Sequence, residues 1–375
     1  MPTEQKMKRL QAVAAKLWYI AQVALLIWSS LIVAGGLGRL ANFPGILIFY
    51  VSLALVLVGW TFIVVVHELG HAFAASIYGW KIAVVAVGRL TIRPAQRRLH
   101  YGLSAFPGLG GAILPIPPEA GNWRKSYVIM LLGGPIANLV LAVCFAAGVL
   151  ICSESPFWTH YLGVMAGLSG LTCAVNLLPV SKGLQKFDGA RIAMALRGEN
   201  LESWARLARL SAELVTPKRP RDWNPECVAA ARDDYASGGS EGALGLMLCA
   251  YHLDCGDLEK ARAALAWAGE RLGELDNVKI SKAFILAYFD KDIEGAENLL
   301  AQVKSRALKL RPAYLISRAV IARHTNDQQF ASIVDRARAS LKRSPFTTPA
   351  DLDFLEGLAG KSSESIVADA AAVAS

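Results

Sequence analysis

The sequence predicts a mainly α-helical protein. A polytopic membrane domain with about four transmembrane helices and a small β hairpin or sheet precedes a soluble α-helical repeat domain. The 375 residues are 54% hydrophobic and 18% charged, too apolar for an ordinary soluble chain. The long apolar runs all precede residue 200, and a local pattern recurs every 35 residues after it. The predicted divisions are a membrane domain (1–199), a linker (200–224), a cytoplasmic helical domain (225–361) and a disordered tail (362–375).

The positive charge is concentrated in the apolar half. Residues 1–200 contain 16 Lys and Arg against 6 Asp and Glu, whereas residues 201–375 contain 23 against 24. Short cytoplasmic loops between membrane helices are enriched in Lys and Arg, so this excess reports orientation. The net charge of +9 therefore gives no support for a nucleic-acid partner. We expect a multi-pass protein of a lipid bilayer, the cell inner membrane, with cytoplasmic N- and C-termini.

The first two apolar runs are long enough to span a bilayer. Residues 17–37 follow a short basic start, and at about twenty residues they exceed the core of a signal peptide, so we expect a retained transmembrane helix. The second run starts after a turn at residues 42–45 and continues to about Ile77. The loop that follows it is rich in Arg, which places the end of this helix on the cytoplasmic side.

Residues 82–93 and 101–116 are β-branched or Gly-rich and too short for spanning helices. They predict a small sheet or a re-entrant hairpin, which membrane depth tolerates only where it lines a cavity. The edge of such a sheet would pair with an extended peptide by strand addition, or it would serve packing alone.

Two further apolar runs follow, from near Trp123 to residue 152 and over residues 161–179. The first contains Gly133, Gly134 and Pro135, which are ordinary in membrane helices because small residues allow close helix approach. Asn138 is an amide within this apolar run. It would cap a kink, bond a neighbouring helix, or donate to a polarised carbonyl.

Three ionisable residues, His67, Glu68 and His71, end the second apolar run. A charge at such a place costs about 2.5–3.5 kcal/mol, so these residues are functional candidates. Residues i and i+4 share one helix face, where two imidazoles can bind one metal ion. Glu68 then suits a general base acting on water. A chance match with satisfied core histidines is the alternative, but no partner charge lies within a turn, which favours the metal.

Asp188 is the only acidic residue between Glu154 and Glu199. It follows a loop that returns the chain to the depth of His67 and His71. A third oxygen ligand would complete a zinc site with one open position. Alternatively Asp188 caps the helix that Gly189 begins, and capping and ligation need not exclude each other.

Together these motifs resemble the site-2 protease family of intramembrane zinc metalloproteases. The resemblance covers about residues 46–196. Its elements are His67-Glu68-Leu69-Gly70-His71, Gly134-Pro135-Ile136-Ala137-Asn138, Asn176-Leu177-Leu178-Pro179 and Asp188-Gly189. One departure is the link from Pro179 to Asp188, which is longer than usual in the family and ends in Phe187. The longer link either moves the third ligand or forms a surface bulge.

The resemblance implies that His67, His71 and Asp188 hold Zn2+ and that Glu68 activates water. Asn138 would position the substrate or stabilise the oxyanion. The implied reaction is hydrolysis of a peptide bond in or near a transmembrane segment of a membrane-protein substrate, as in regulated intramembrane proteolysis.

The second half of the chain carries the 35-residue pattern, in turns centred on Asp257, Asp292 and Asp327. Paired helices with this period resemble tetratricopeptide repeats, which stack into a solenoid. A helical bundle with coincidental spacing is the alternative. A repeat domain would bind a cytoplasmic protein partner. The competing function for the whole chain is therefore a membrane-anchored, tetratricopeptide-like adaptor with a vestigial catalytic site.

Overall fold

The computed structural model describes residues 24–39, 44–94, 97–103, 110–118, 123–182, 185–198, 201–239, 241–273, 275–344 and 348–360. The chain forms two compact units that alternate along the sequence. The first comprises Met1–Ala74 and Val128–Ala193, and the second comprises Ala75–Tyr127 and Met194–Ser375. The tail predicted to be disordered, 362–375, lies outside the described residues, as does the start of the predicted first transmembrane helix.

Apolar helices form most of the first unit. They are α1 (Ala24–Leu37), α2 (Gly45–Ile77), α3 (Arg124–Ile151) and α4 (Pro156–Asn176). A two-stranded hairpin, β5 (Ser181–Lys182) and β6 (Gln185–Lys186), leads to α5 (Asp188–Leu196). Pro156 occupies the first turn of α4, where a proline lacks no needed hydrogen bond. The buried side chains of α1, α2 and α4, among them Val33, Ile63 and Met165, pack into one core.

Among the described residues, two helices are long and apolar enough to cross a membrane. These are α2, with 33 residues, and α3, with 28. Much of the surface of α2 is apolar and exposed, as at Tyr50, Val58 and Phe62, which suits contact with lipid. That α1 and α4 also span the membrane, giving four transmembrane helices, stays a prediction.

Helices α2 and α3 approach each other closely at two glycines. A Cβ atom added to Gly70 would overlap the carbonyl oxygen of Gly133, and one added to Gly133 would overlap the carbonyl oxygen of Gly70. Small residues at a crossing let the two backbones touch. The crossing therefore brings the backbone of α3 against the turn of α2 that carries His67 and His71.

The second unit contains a four-stranded antiparallel sheet in the order β3-β2-β1-β4. Its strands are β1 (Lys81–Val87), β2 (Leu90–Arg93), β3 (Arg98–Tyr101) and β4 (Gly111–Ile116). Val85 of β1 pairs with Ile92 of β2 and with Ile113 of β4. The small sheet predicted from residues 82–116 is thus confirmed, as a sheet of four strands.

Helix α6 (Glu202–Leu214) covers this sheet, and Val215 packs against Ala83, Val84 and Ala86. This differs from the predicted division in two respects. The sheet belongs to the same compact unit as the C-terminal helices, not to that of the membrane helices. The segment 200–224, predicted as a linker, contains α6 and a short 3-10 helix, Pro220–Asp222.

An array of helices completes the second unit. The helices are α7 (Pro225–Ala236), α8 (Ala243–Asp254), α9 (Leu258–Leu272), α10 (Asp276–Ile285), α11 (Ile293–Ala301), α12 (Arg306–Lys309), α13 (Pro312–His324), α14 (Phe330–Arg343) and α15 (Pro349–Gly360). A π-helical turn, Leu286–Asp290, extends α10. Successive helices pack in pairs, α8 with α9, α10 with α11, and α13 with α14.

The turns within these pairs share one geometry. Each has a residue with positive φ directly before an Asp, and the carboxylate of that Asp accepts a hydrogen bond from a backbone N–H near the start of the next helix. The pairs are Gly256 and Asp257, Lys291 and Asp292, and Asn326 and Asp327, bonded to the N–H groups of Lys260, Gly295 and Gln329. The 35-residue pattern is therefore a recurring structural turn. Assignment to the tetratricopeptide class stays a prediction.

Candidate metal centre

Two histidines on adjacent turns of α2 share a site with an aspartate at the start of α5. His67 Nε2 lies 3.1 Å from His71 Nε2. Asp188 Oδ2 lies 3.2 Å from His67 Nε2 and 3.3 Å from His71 Nε2. One potential ligand atom from each residue lies within 4.8 Å of the others. The structure thus brings together the three residues that the sequence analysis proposed as ligands.

The long link before Asp188 does not displace this residue. Strand β5 follows Val180, and its antiparallel partner β6 precedes Phe187. The backbone N–H of Phe187 donates to the carbonyl of Val180 at 3.1 Å. Gly189 lies against the preceding turn so closely that a Cβ atom there would overlap the carbonyl oxygen of Leu177. The pairing of β5 with β6 returns the chain to Val180, so the longer link leaves Asp188 beside the two histidines.

The donor set fits a zinc ion. Two imidazole nitrogens and one carboxylate oxygen are ligands of catalytic zinc sites, which keep a fourth position open. Ligands about 2.0–2.1 Å from a tetrahedral ion lie about 3.3–3.4 Å from one another. The three observed separations, 3.1, 3.2 and 3.3 Å, are close to that spacing. The residues are therefore arranged as a zinc site requires.

Asp188 has an environment that favours its ionised form. Burial by itself would raise the pKa of this carboxyl, but hydrogen bonds to His67 and His71 lower the pKa well below its usual range. A carboxylate binds a metal in its ionised form, so the imidazole partners favour the state that a ligand needs.

Helix α3 supplies a partner for the second nitrogen of each imidazole. His71 Nδ1 lies 2.8 Å from the carbonyl oxygen of Met130, to which it can donate. His67 Nδ1 lies 3.0 Å from the side-chain amide of Asn138, a residue with no solvent exposure. Partners of this kind fix the orientation and tautomer of a ligating histidine. Of the alternatives for Asn138, the structure shows a bond to a neighbouring helix, and the amide contacts a ligand imidazole.

Glu68 lies one residue from His67 and is only 7% exposed. Among the described residues, no side chain or backbone group forms a hydrogen bond with its carboxylate. His71 and Asp188 are close enough to act on it electrostatically, as is Arg191 of α5. An unpaired carboxylate beside three potential ligands is free to accept and return a proton.

Residues 55–157 match the model of peptidase family M50. This match supports the resemblance to the site-2 protease family for that segment. The match and the two membrane-length helices, α2 and α3, together indicate a membrane protein.

Three curated relatives resemble part of this chain. The probable membrane metalloprotease ARASP2 of Arabidopsis thaliana chloroplasts is 29% identical over 120 residues, covering 28% of this chain and 27% of that protein. The putative zinc metalloprotease Rip2 of Mycobacterium tuberculosis is 31% identical over 137 residues, and that of Mycolicibacterium smegmatis is 32% identical over 139. The chain spans 52% of each Rip2 protein, and each match covers 34% of this chain. No solved structure matches the chain.

The M50 match contains four of the five predicted site residues. His67, Glu68, His71 and Asn138 lie within residues 55–157, and Asp188 lies beyond them. The place of Asp188 in the site therefore depends on the distances in the structure. The carbonyl of Met130 and the close approach of Gly134 were not predicted as parts of the site. Residue type does not predict which backbone carbonyl contacts a side chain. The Gly133-Gly134 pair, in contrast, was predicted to allow close helix approach.

Proposed function

We propose that this chain is a zinc-dependent intramembrane endopeptidase of the site-2 protease type. It hydrolyses a peptide bond in or near a transmembrane segment of a membrane-protein substrate, as in regulated intramembrane proteolysis. The observation that carries this proposal is the convergence of His67, His71 and Asp188 beside Glu68 at the end of a membrane-length helix. The curated relatives, described as a membrane metalloprotease and as zinc metalloproteases, support the same reaction class.

The proposed chemistry divides the residues into ligands and a base. His67, His71 and Asp188 would hold the ion. Bound zinc supplies a Lewis acid that polarises the scissile carbonyl and lowers the pKa of water to about 7. The Glu68 carboxylate accepts the proton of the attacking water and returns it to the leaving amide nitrogen. The burial of His67, Glu68 and His71 excludes bulk water, which strengthens the electrostatic interactions among these groups.

Exposed apolar side chains next to the site suit a substrate that lies in the membrane. Leu69 and Phe73, on the turns of α2 that carry the histidines, are 53% and 70% exposed. On α3, Ile136 and Val140 are also exposed. Lipid or the apolar side chains of a substrate helix would cover such a surface. The proposed topology has several spanning helices and cytoplasmic termini, in the cell inner membrane.

Substitution of the base separates catalysis from metal binding. In proteoliposomes containing a reporter with one transmembrane segment, we expect Glu68→Gln to retain about one zinc per chain. Cleavage should fall about 100- to 10,000-fold, because the general base is lost. Asp188→Ala should lose the zinc itself. Glu154→Gln, the same exchange at an exposed acidic residue between α3 and α4, is the matched control. Cleavage by Glu68→Gln at the wild-type rate would rule out the proposed base.

The helical array supports a second proposal, that α7–α15 bind a cytoplasmic protein partner. The stacked helix pairs with their recurring turns carry it, because such arrays present extended binding surfaces. In the competing adaptor function this binding would be the whole activity. A partner-dependent phenotype that survives Glu68→Gln would support the adaptor, and a phenotype lost together with cleavage would support the protease.

A further inference from the structure

The side-chain amide of Asn138 meets the imidazole of His67 away from the ligand atoms. Nδ2 of Asn138 lies 3.0 Å from His67 Nδ1, whereas His67 Nε2 is the nitrogen that faces His71 and Asp188. Within the described part of the chain, Asn138 Oδ1 is buried without a hydrogen-bond partner. As placed, the side-chain amide therefore has its hydrogen bond to His67 alone among the described residues.

The two orientations of the amide require different tautomers of His67. If the amide NH2 faces Nδ1, then Nδ1 must accept, and the single proton of the neutral ring lies on Nε2. That proton would point at Asp188 and would occupy the lone pair that binds a metal. If Oδ1 faces Nδ1 instead, the ring donates from Nδ1, and Nε2 is free to ligate. Amide oxygen and nitrogen are assigned from their hydrogen bonds, so this requirement determines the orientation in the ligating state.

We infer that Asn138 is a positioning residue, whose Oδ1 accepts the Nδ1 proton of His67 and thereby holds the tautomer that can bind zinc. The inference rests on the proposed function, because it concerns the same metal site. It gives the two histidines equivalent support, since the carbonyl oxygen of Met130, which can only accept, lies 2.8 Å from His71 Nδ1, closer than the backbone nitrogen of Gly134 at 3.2 Å. Both acceptors then come from α3.

The surroundings of Asn138 fix the position of the amide. The close crossing of α2 and α3 at Gly70 and Gly133 brings α3 within reach of the imidazoles. The Ser169 hydroxyl of α4 donates to the backbone carbonyl of Asn138 at 2.8 Å, and this bond involves no atom of the side-chain amide. The crossing of α2 and α3 therefore holds the acceptor in place before a metal arrives.

Two substitutions of Asn138 distinguish the two amide orientations by their expected zinc affinities. Asn138→Asp offers only acceptors, so it preserves a bond from Nδ1–H. Asn138→Leu has a similar volume and no acceptor. We expect zinc affinity, measured by chelator competition on the full-length protein in detergent, to fall about 10- to 100-fold in Asn138→Leu. In Asn138→Asp the affinity should stay within about threefold of wild type or rise.

Ser169→Ala is the matched control, because it removes a hydrogen bond to Asn138 without altering its side chain. Its zinc affinity should equal that of wild type. Equal affinities for Asn138→Leu and wild type would overturn the inference, and so would an affinity of Asn138→Asp below that of Asn138→Leu. Equal losses in Ser169→Ala and Asn138→Leu would assign the effect to helix packing, which also overturns it. Should Asn138→Leu not fold, the affinity of Asn138→Asp decides alone, since tight binding supports the acceptor role and weak binding contradicts it.

The experiment also distinguishes this inference from the proposed function. Absence of zinc from reloaded wild-type protein would overturn the metalloprotease itself, and the tautomer argument with it. Zinc on the wild type with no dependence on the acceptor at position 138 would overturn the tautomer argument alone.

Discussion

Gly134 of α3 has no side chain, and this absence leaves space for the imidazoles of His67 and His71 at the site. A Cβ atom added to Gly134 would overlap His71 Nε2 and would lie 2.7 Å from His67 Nε2. These are the two nitrogens that face Asp188. Overlap below about 3 Å forces rearrangement of packed atoms, and here the atoms that would have to move are the potential ligands.

We predict that Gly134→Ala loses zinc while the protein remains folded. Alanine favours a helix over glycine by about 1 kcal/mol, so the backbone of α3 should tolerate the exchange. Metal content and the thermal unfolding midpoint would be measured together. Gly167→Ala in α4 is the control, because nothing lies within 4 Å of the added methyl group there. Full zinc occupancy in Gly134→Ala would contradict the prediction.

The predictability of the site residues follows from how local each signal is. His67, Glu68 and His71 were predictable because the i, i+4 relation is a property of one helix. The prediction of Asp188 as a ligand depended on an assumption about the membrane depth to which the preceding loop returns the chain. The contact of Asn138 with His67 was one alternative among several, since it depends on the rotation and crossing of α2 and α3. The pattern of one helix does not predict how it crosses another, although the glycines that permit the crossing of α2 and α3 can be identified in the sequence.

At the scale of secondary structure, we expect the β5–β6 hairpin to be dispensable for the metal site. The residues at its two ends are adjacent, because the backbone N–H of Phe187 donates to the carbonyl of Val180. We predict that joining residue 180 to residue 187 through one glycine, in place of residues 181–186, leaves zinc content unchanged. Gly189→Ala should lose zinc, because its methyl group would overlap the Leu177 carbonyl and displace Asp188. Loss of zinc from the shortened protein would show that the hairpin itself holds the ligand.

The capping aspartates of the helical array give a pH-dependent expectation. The side chain of Lys260, and then its backbone N–H, lower the pKa of Asp257 by hydrogen bonding. A lowered folded-state pKa means that the stabilisation is present above the unfolded value of about 3.9 and is lost as pH falls through the folded value. We predict that protection of α9 from hydrogen exchange falls between about pH 5 and pH 2.

Asp257→Asn tests this titration. Asparagine caps a helix as well as aspartate does but has no charge to lose, so protection of α9 should depend less on pH in this variant. Asp233→Asn, an exposed position in α7, is the control and should follow the wild-type profile. An unchanged pH profile in Asp257→Asn would assign the acid sensitivity to other groups.

For the molecule as a whole, the order of the chain and the grouping in space differ. The sheet of residues 81–116 lies in sequence between α2 and α3, yet it packs with α6 and the C-terminal helices. Composition predicted the helical array and the apolar helices, because each is a property of a continuous stretch. Composition placed the domain boundary near residue 199, where the long apolar runs end. It does not predict that a later helix, α6, covers the sheet.

A backbone contact joins that sheet to the far end of the array within the second unit. The carbonyl of Arg343, at the end of α14, accepts from the backbone N–H of Leu103 at 2.7 Å and lies 2.9 Å from His100 Nε2. Gly102, between these two residues, is buried against the same carbonyl, which a Cβ atom would overlap. A glycine is therefore required where the sheet and the helices meet.

We predict that Gly102→Ala destabilises the second unit by about 1–3 kcal/mol, the usual cost of an overlap that packed atoms must relieve. His100→Ala, which removes one hydrogen bond, should cost about 0.5–1.5 kcal/mol. The free energy of unfolding and the exchange rate of the Leu103 amide would be measured, with Gly357→Ala as the control because its added methyl meets nothing within 4 Å. Faster exchange at Leu103 in both test variants, with the control unchanged, is expected if this contact holds the sheet to the array. Unchanged exchange at Leu103 in Gly102→Ala would mean that α6 alone holds the sheet in place.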